Sequence, residues 1–424
     1  MKKYDLIVCG GGFAGCGAAL AAAREGLSVL IVDKANCLGG AACTNLVNPF
    51  MPNSTNFVDE NGNKYKKELS SGIFKEIVDK LDEMGAYDRA REVFHDEYLK
   101  IILNRMMAEA GVDLLFHSYI SSVSASDGEI KNITVATKSG EIVLEADYFI
   151  DSTGDADIAY FAGFPTQLGR EADSLCQPMT LCFRVANVDM EKYIADHKNA
   201  NEKYMKLKAE GKIKNVRENL LIFRTMVDGM LHFNSTRVVK YNPVNPIDVT
   251  KAEIEVREQV FELLEFMKEN CDGFQNAQIV SSAAEIGVRE SRMIIGDFVL
   301  NEKHLVDCEK FPDAIAASNY DIDIHSPDGS GTSHYYFPEG TYYTIPYRAL
   351  IPKDSKNLLA AGRCLSSTHE AQASYRIMPV CCCIGQAAGI AISIAKKEGK
   401  NVSEIDAKKI QDILRKNDAF FGEM

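Results

Sequence analysis

The alternation of apolar and polar positions is most readable near the N-terminus. Residues 4–9 (YDLIVC) form a short apolar run rich in β-formers, which predicts a buried strand. Glycines stand at 10, 11, 12 and 15, and residues 16–25 are dominated by Ala, so a turn and then a helix ending at Gly26 are expected. Residues 27–32 (LSVLIV) predict a second buried strand, closed by Asp33. Strand, glycine turn, helix and strand within about thirty residues make the βαβ unit of a parallel sheet. Residues 48–67 read as a loop, helices are expected near 72–84 and 96–110, and a strand at 112–120. Residues 129–136 and 141–146 flank Lys138-Ser139-Gly140 as a hairpin, and 148–150 read as a further strand.

From about 164 to 341 the parallel-sheet rhythm lapses. Strand-like pieces such as 179–185 alternate there with a long charged helix near 250–270. A buried strand returns at 358–361, followed by an Ala/Cys-rich helix and a polar helical tail from Lys396. The expected fold class is α/β. A Rossmann-like domain, a parallel sheet carrying a β-hairpin insertion, would be built from residues 1–165 and 342–424. Residues 166–341 would be inserted as a mixed α+β substrate or cap domain.

Composition narrows the function. The 424 residues are 46% hydrophobic and 25% charged, enough for a sizeable core without disulfide or metal staples. Sixty acids against 47 bases give a formal charge of −13, which argues against nucleic acid or an anionic membrane as partner. The twelve cysteines include no CxxC, and Cys381, Cys382 and Cys383 are consecutive in an apolar run. No metal or cluster site is therefore expected, and reduced thiols in a cytoplasmic protein are the default. Two stretches imitate membrane signals. The apolar segment after Met1-Lys2-Lys3 is broken by Asp5 and glycines, unlike a signal peptide. Residues 377–395 are long enough to span a bilayer, but Pro379, Gly385, Gln386 and Gly389 make a buried helix the better reading.

Gly10-Gly11-Gly12-Phe13-Ala14-Gly15 fits GxGxxG: a tight turn, close approach of backbone to pyrophosphate, and close helix–strand packing. Asp33, eighteen residues beyond Gly15, is placed to accept hydrogen bonds from a ribose diol. Together these mark a dinucleotide site.

Three further stretches resemble the motifs of flavoproteins with two dinucleotide-binding domains: Leu38-Gly39-Gly40-Ala41-Ala42, Ser152-Thr153-Gly154-Asp155 and Leu359-Ala360-Ala361-Gly362-Arg363. More narrowly, GGGFAGCGAALAAAREG, FIDSTGDADIA, QPMTLCFR, GVRESR and AGRCLSSTHEAQASYRIMP…GQAAG are similar to the bacterial FAD-dependent oxidoreductase family related to fumarate reductase flavoproteins. The resemblance spans nearly the whole chain. It implies FAD, held non-covalently because no His adjoins Gly40. The expected cofactor residues are Gly10, Gly12, Phe13, Ala14, Gly15, Asp33, Lys34, Gly39, Gly40, Ala41, Ile120, Thr153, Gly154, Asp155, Gly362, Arg363, Pro379, Gly385, Gln386 and Ala387. The helix from Gly385 would point its N-terminus at the flavin pyrimidine. One departure stands out. Many such proteins have Gly-Asp where this chain has Gly362-Arg363, and an Arg cannot accept ribityl hydrogen bonds.

Flavin carries the redox chemistry, so the protein must orient and neutralise. Arg289 and Arg292, three apart in GVRESR, would share one helix face and can hold a carboxylate by bidentate bonds. His369 and Arg376 precede the last long helix, where fumarate-reductase-like flavoproteins place a His and an Arg on a dicarboxylate; the spacing HEAQASYR differs, so this match is loose. Arg289 or Arg376 is expected to neutralise substrate charge and His369 to move a proton. The competing readings are a paired charge cluster and a structural histidine. The aromatics around Tyr342, Tyr343 and Tyr347 read as core or interface rather than a lid. Cys43 lacks the partner of a CxxxxC redox pair, because position 48 is Asn. The expected activity is hydride transfer between flavin N5 and a small carboxylated or polar substrate, with an external electron donor or acceptor. Alternatives are a non-redox flavin isomerase or hydratase, and an electron-transfer subunit. Substrate, redox direction and oligomeric state are open at this level.

Overall fold

A computed structural model describes residues 3–329 and 331–422. Strand Tyr4–Cys9 lies inside a seven-stranded sheet. It pairs in parallel with Val29–Val32 on one side and with the end of Gly140–Asp151 on the other. Asp113–Leu115 and Leu358–Ala360 extend the parallel part at its two edges. Leu6 to Cys9 and the whole of Val29–Val32 are buried, as both faces of a parallel sheet require. The chain builds outward from Tyr4–Cys9 on one side, then returns to the other. Cys9 and Asp151 are register partners, so the loops leaving them open side by side at the carboxyl edge. That switch point is where open α/β sheets receive ligands.

Three local expectations change. The strands expected at 141–146 and 148–150 are one, Gly140–Asp151, whose first half pairs antiparallel with Glu129–Thr137 and whose second half enters the parallel sheet. The strand expected at 112–120 is split into Asp113–Leu115 and Tyr119–Ser126, because His117 between them has φ 52°, outside any strand conformation. The loop expected at 48–67 contains a hairpin, Ser54–Val58 with Lys64–Glu68.

The two small-residue helices, Phe13–Arg24 and Met378–Glu398, pack backbone against backbone. A Cβ on Gly385 would lie 1.9 Å from the Ala14 carbonyl oxygen, and one on Gly389 2.1 Å from that of Ala18. Reciprocally, a Cβ on Gly17 would lie 2.4 Å from the Cys382 oxygen. This explains the Ala, Gly and Cys composition of both segments. Met378–Glu398 is long and apolar enough to cross a membrane and is almost entirely buried inside the protein. It starts at Met378 with Pro379 in its first turn, not at Gly385, which sits in its interior.

A second apolar core lies in the middle of the chain. Phe183–Ala186 is flanked by Leu231–Phe233 and Gln278–Ser282, with Ile222–Arg224 at the edge, all antiparallel. Helices Met190–Ala209 and Pro246–Asn270 cover it, burying Tyr204, Val256, Leu263 and Met267. Leu46 also joins this core. Leu300, Leu305, Phe311 and Ala316 pack instead with the N- and C-terminal segments. All twelve cysteines are free, eleven of them buried.

Candidate functional site

At the switch point a cavity of about 350 Å³ is lined by the loops after Cys9, Val32 and Asp151, and by Ala361 to Arg363. Gly15 fixes its floor: a Cβ there would lie 1.9 Å from the Gly10 oxygen, so only Gly lets helix Phe13–Arg24 start against the strand. Gly12 differs. A Cβ there would meet nothing closer than 4.0 Å, so its surface is open toward the cavity. The helix has no side-chain cap, which leaves the first-turn N–H groups of Phe13, Ala14 and Gly15 without intrahelical partners. An open glycine beneath free donors at a helix N-terminus is a cradle for a diphosphate.

Of the expected cofactor residues, Gly10, Gly12, Phe13, Ala14, Asp33, Lys34, Gly39, Gly40, Ala41, Ile120, Thr153, Gly154, Asp155, Gly362 and Arg363 line this one cavity. Gly15, Pro379, Gly385, Gln386 and Ala387 do not. Gly385 spaces two helices, and Gln386 is buried and accepts a hydrogen bond from the Ile73 N–H at 3.0 Å. Met378 and Cys381 present the start of that helix to the cavity instead.

The carboxylates are sorted by their partners. Asp33 accepts the N–H groups of Gly11 and Ala35, while burial pushes its pKa up. Asp151 is fully buried and accepts the N–H groups of Ile158 and Ala159 and the Thr153 hydroxyl, so its role is to shape the second loop. Burial, then Asp155 and Asp151, push Asp157 up to about 6. Arg363 donates to Asp155 at 2.8 Å, which identifies the partner of the Arg that replaces the usual acid. Arg363 and Ser291 together hold the Asp155 carboxyl below its usual range despite burial.

Three cations line the cavity: Lys34, Arg363 and Arg376. Lys34 is paired with Glu285 and Arg363 with Asp155, each at 2.8 Å. Arg376 has no such pair. Its Nη2 lies 3.3 Å from the Gln177 Oε1 and Asp323 carbonyl oxygens and 3.8 Å from the Asp323 carboxylate, and among the described residues its Nε has no hydrogen-bond partner.

The other two residues expected to act chemically do not line the cavity. His369 is buried, and its Nδ1 lies 2.7 and 2.8 Å from the two oxygens of the fully buried Glu290. Glu290 accepts the Gln177 N–H at 2.8 Å, and Gln177 in turn faces Arg376. His369 therefore reaches Arg376 through two intermediaries. Arg289 donates to the Pro178 carbonyl and the Thr180 hydroxyl, and Arg292 pairs with Asp157 and stacks on Tyr160. Arg289 and Arg292 do not form the shared helix face expected of GVRESR, since Arg292 opens strand Arg292–Ile294.

Sequence reasoning missed one wall. Glu285, Ile286 and Val288 come from the middle of the chain and line the cavity beside Thr44 and Asn45. Asn45 donates to the Glu285 carbonyl at 2.9 Å, and Lys34 reaches the same residue by its side chain. Only the motif GVRESR next to this wall hinted at it.

Solved structures of similar shape are distant. One is a geranylgeranyl bacteriochlorophyll reductase-like protein from Thermoplasma acidophilum, 12% identical over 98% of this chain and 84% of that one, with TM-score 0.48. Another is a p-nitrophenol 4-monooxygenase from Pseudomonas putida, 10% identical over 100% and 90%, with TM-score 0.46. A flavoprotein/dehydrogenase from Cytophaga hutchinsonii is 12% identical over 98% and 84%, with TM-score 0.43. The sequence itself is decisive: residues 5–414 match the family of FAD-dependent oxidoreductases. The chain belongs to that family and is an FAD-dependent enzyme.

Proposed function

We propose that the enzyme transfers a hydride between FAD and a small organic substrate that carries a carboxylate, and that Arg376 receives the carboxylate. The supporting observation is the contrast among the cavity's cations: Lys34 and Arg363 meet their carboxylates at 2.8 Å, while Arg376 has neutral oxygens at 3.3 Å and its carboxylate, Asp323, only at 3.8 Å. FAD supplies the hydride acceptor or donor when bound. The chain's residues bind and orient. The N–H groups of Phe13, Ala14 and Gly15 hold the diphosphate over Gly12, and Asp33 faces the ribose. Arg363 keeps Asp155 ionised and in place, so that no unpaired carboxylate faces the phosphates. His369, through Glu290 and Gln177, fixes the position of the Arg376 guanidinium; it is a positioning residue. The two ends of the chain make the cofactor half of the site, and the segment around the second core covers it. Each turnover also needs an external electron donor or acceptor.

The test is an anaerobic screen of the purified yellow enzyme with carboxylic acids, amines and sugar acids, read by flavin absorbance. Oxidised enzyme is mixed with saturated acids, and photoreduced enzyme with unsaturated ones. An acid is expected to change the flavin redox state while its methyl ester does not. Equal reaction with the ester, or reaction with amines alone, would overturn the reading.

A further inference from the structure

Two buried amides close a ring of hydrogen bonds through Arg376. Gln177 opens the stretch QPMTLCFR, and Gln372 lies within helix His369–Tyr375, which Arg376 follows. The Arg376 backbone N–H donates to the Gln372 carbonyl at 3.3 Å. Gln372 Oε1 accepts from Gln177 Nε2 at 3.2 Å, and Gln177 Oε1 accepts from Arg376 Nη2 at 3.3 Å. One circuit therefore holds both the main chain and the guanidinium of Arg376.

An amide can be turned to present either its oxygen or its NH2 group. Here both ends of the chain fix the choice. The Arg289 carbonyl can only accept, and Gln372 Nε2 donates to it at 2.8 Å, which leaves Gln372 Oε1 for Gln177. Gln177 Nε2 is used there, so Gln177 turns Oε1 to Arg376, whose guanidinium can only donate. The His325 N–H, 3.4 Å from the same oxygen, favours the same orientation. Glu290 adds a second hold by accepting the Gln177 N–H at 2.8 Å. Arg289 and Glu290 are neighbours in GVRESR, which also supplies Val288 to the cavity wall. The segment that builds the wall also orients Gln177.

We infer that Gln372 is a positioning residue for substrate binding: it fixes the orientation of the Gln177 amide, and Gln177 holds the Arg376 guanidinium by a neutral oxygen, so that its charge stays available to the substrate carboxylate. This rests on the reading of Arg376 as the substrate's carboxylate ligand. A competing partner is close. Asp323 Oδ2 lies 3.8 Å from Arg376 Nη2, and a guanidinium released from Gln177 can close on it as a charge-assisted pair. Without Gln372, the Gln177 amide is free to turn its NH2 group to Arg376, donor against donor, which favours that closure.

The test uses FAD-loaded enzyme at neutral pH and constant ionic strength, titrated with propionate and with its neutral isostere propionamide, and read by flavin absorbance and FAD content. Wild type is expected to bind propionate saturably and in preference to propionamide. Gln372→Met should weaken propionate about tenfold or more, the weight of one hydrogen bond to a charged group, with FAD content and flavin spectrum unchanged. Gln177→Met should weaken it at least as much, and adding Gln372→Met to that variant should change nothing further, because Gln372 acts through Gln177. Gln372→Leu is held to the same outcomes should the Met variant not fold; failure of both to fold would make Gln372 structural and overturn the inference. Gln372 variants that bind propionate like wild type or lose FAD would overturn it too, as would a further loss in the double variant. Propionate binding that depends on Arg376 but not on Gln372 would defeat this inference and leave the proposed function standing. Propionate left unbound by wild type, bound no better than propionamide, or bound equally well by Arg376→Lys would defeat the proposed function itself.

Discussion

Replacing Gly12 with Ala separates cofactor binding from folding. At this position φ is −69° and ψ is −175°, extended backbone open to any residue, and the added methyl meets nothing within 4.0 Å. Ala shrinks the unfolded ensemble relative to Gly by about 0.4–1 kcal/mol, while as an N-cap it is poorer than Gly by roughly 0.5 kcal/mol. The two nearly cancel, so the stability of FAD-free protein should change by no more than about 0.5 kcal/mol. Binding should behave differently. The methyl fills the space over the donors of Phe13, Ala14 and Gly15, and a hydrogen bond to a charged group is worth about 1.5–3 kcal/mol. Loss of two such bonds is about 3–6 kcal/mol, or roughly 10²- to 10⁴-fold in Kd. Urea unfolding of the FAD-free protein gives the first quantity and titration with FAD the second. A Gly12→Ala protein that binds FAD like wild type would show that the diphosphate does not lie at Gly12. One that unfolds without FAD would show that the glycine serves packing.

Two further substitutions probe other parts of the account. Gly385→Ala should gain roughly 1 kcal/mol of helix propensity, yet its Cβ would stand 1.9 Å from a backbone oxygen that cannot rotate away. Overpacking of this kind costs about 1–3 kcal/mol or more, so a net loss in urea unfolding is expected together with weaker FAD binding through displaced Ala14; a stabilised variant would refute the backbone contact. The Asp157 carboxyl, raised to about 6, keeps in the folded state a proton that the unfolded chain releases near pH 4. Its contribution is therefore fully present below about pH 4, falls as pH rises to about 6, and is level above that. After discount for partial exposure and the Arg292 pair, the loss is about 1–2 kcal/mol. The difference in urea midpoint between wild type and Asp157→Asn should move in favour of the variant across this window, and parallel curves would contradict it.

The parts of the site made by contiguous residues were legible in the sequence, because strand, glycine turn and acid follow one another within one βαβ unit. Arg363 was legible as an anomaly, but its partner Asp155 lies on a different strand end, and only the pairing of Gly140–Asp151 with Leu358–Ala360 brings them together. Glycines misled where packing uses them as binding does. Gly385 in GQAAG reads as the start of a helix aimed at the flavin, and it is a spacer inside a helix that starts at Met378. The single strand Gly140–Asp151 was hidden because its two halves obey different periodicities, exposed antiparallel and buried parallel.

The most direct measurement of the central claim is anaerobic stopped-flow of wild-type enzyme and Arg376→Lys with the acid found by the screen, alongside their FAD content. Lysine keeps the charge but not the planar fork. Loss of a desolvated, charge-assisted pair costs on the order of 2–5 kcal/mol, roughly 30-fold to several thousandfold in rate or affinity. The account predicts full FAD occupancy and an unchanged flavin spectrum with flavin turnover lowered by at least 30-fold. Wild-type kinetics in the variant, or loss of FAD from it, would contradict Arg376 as the substrate's carboxylate ligand.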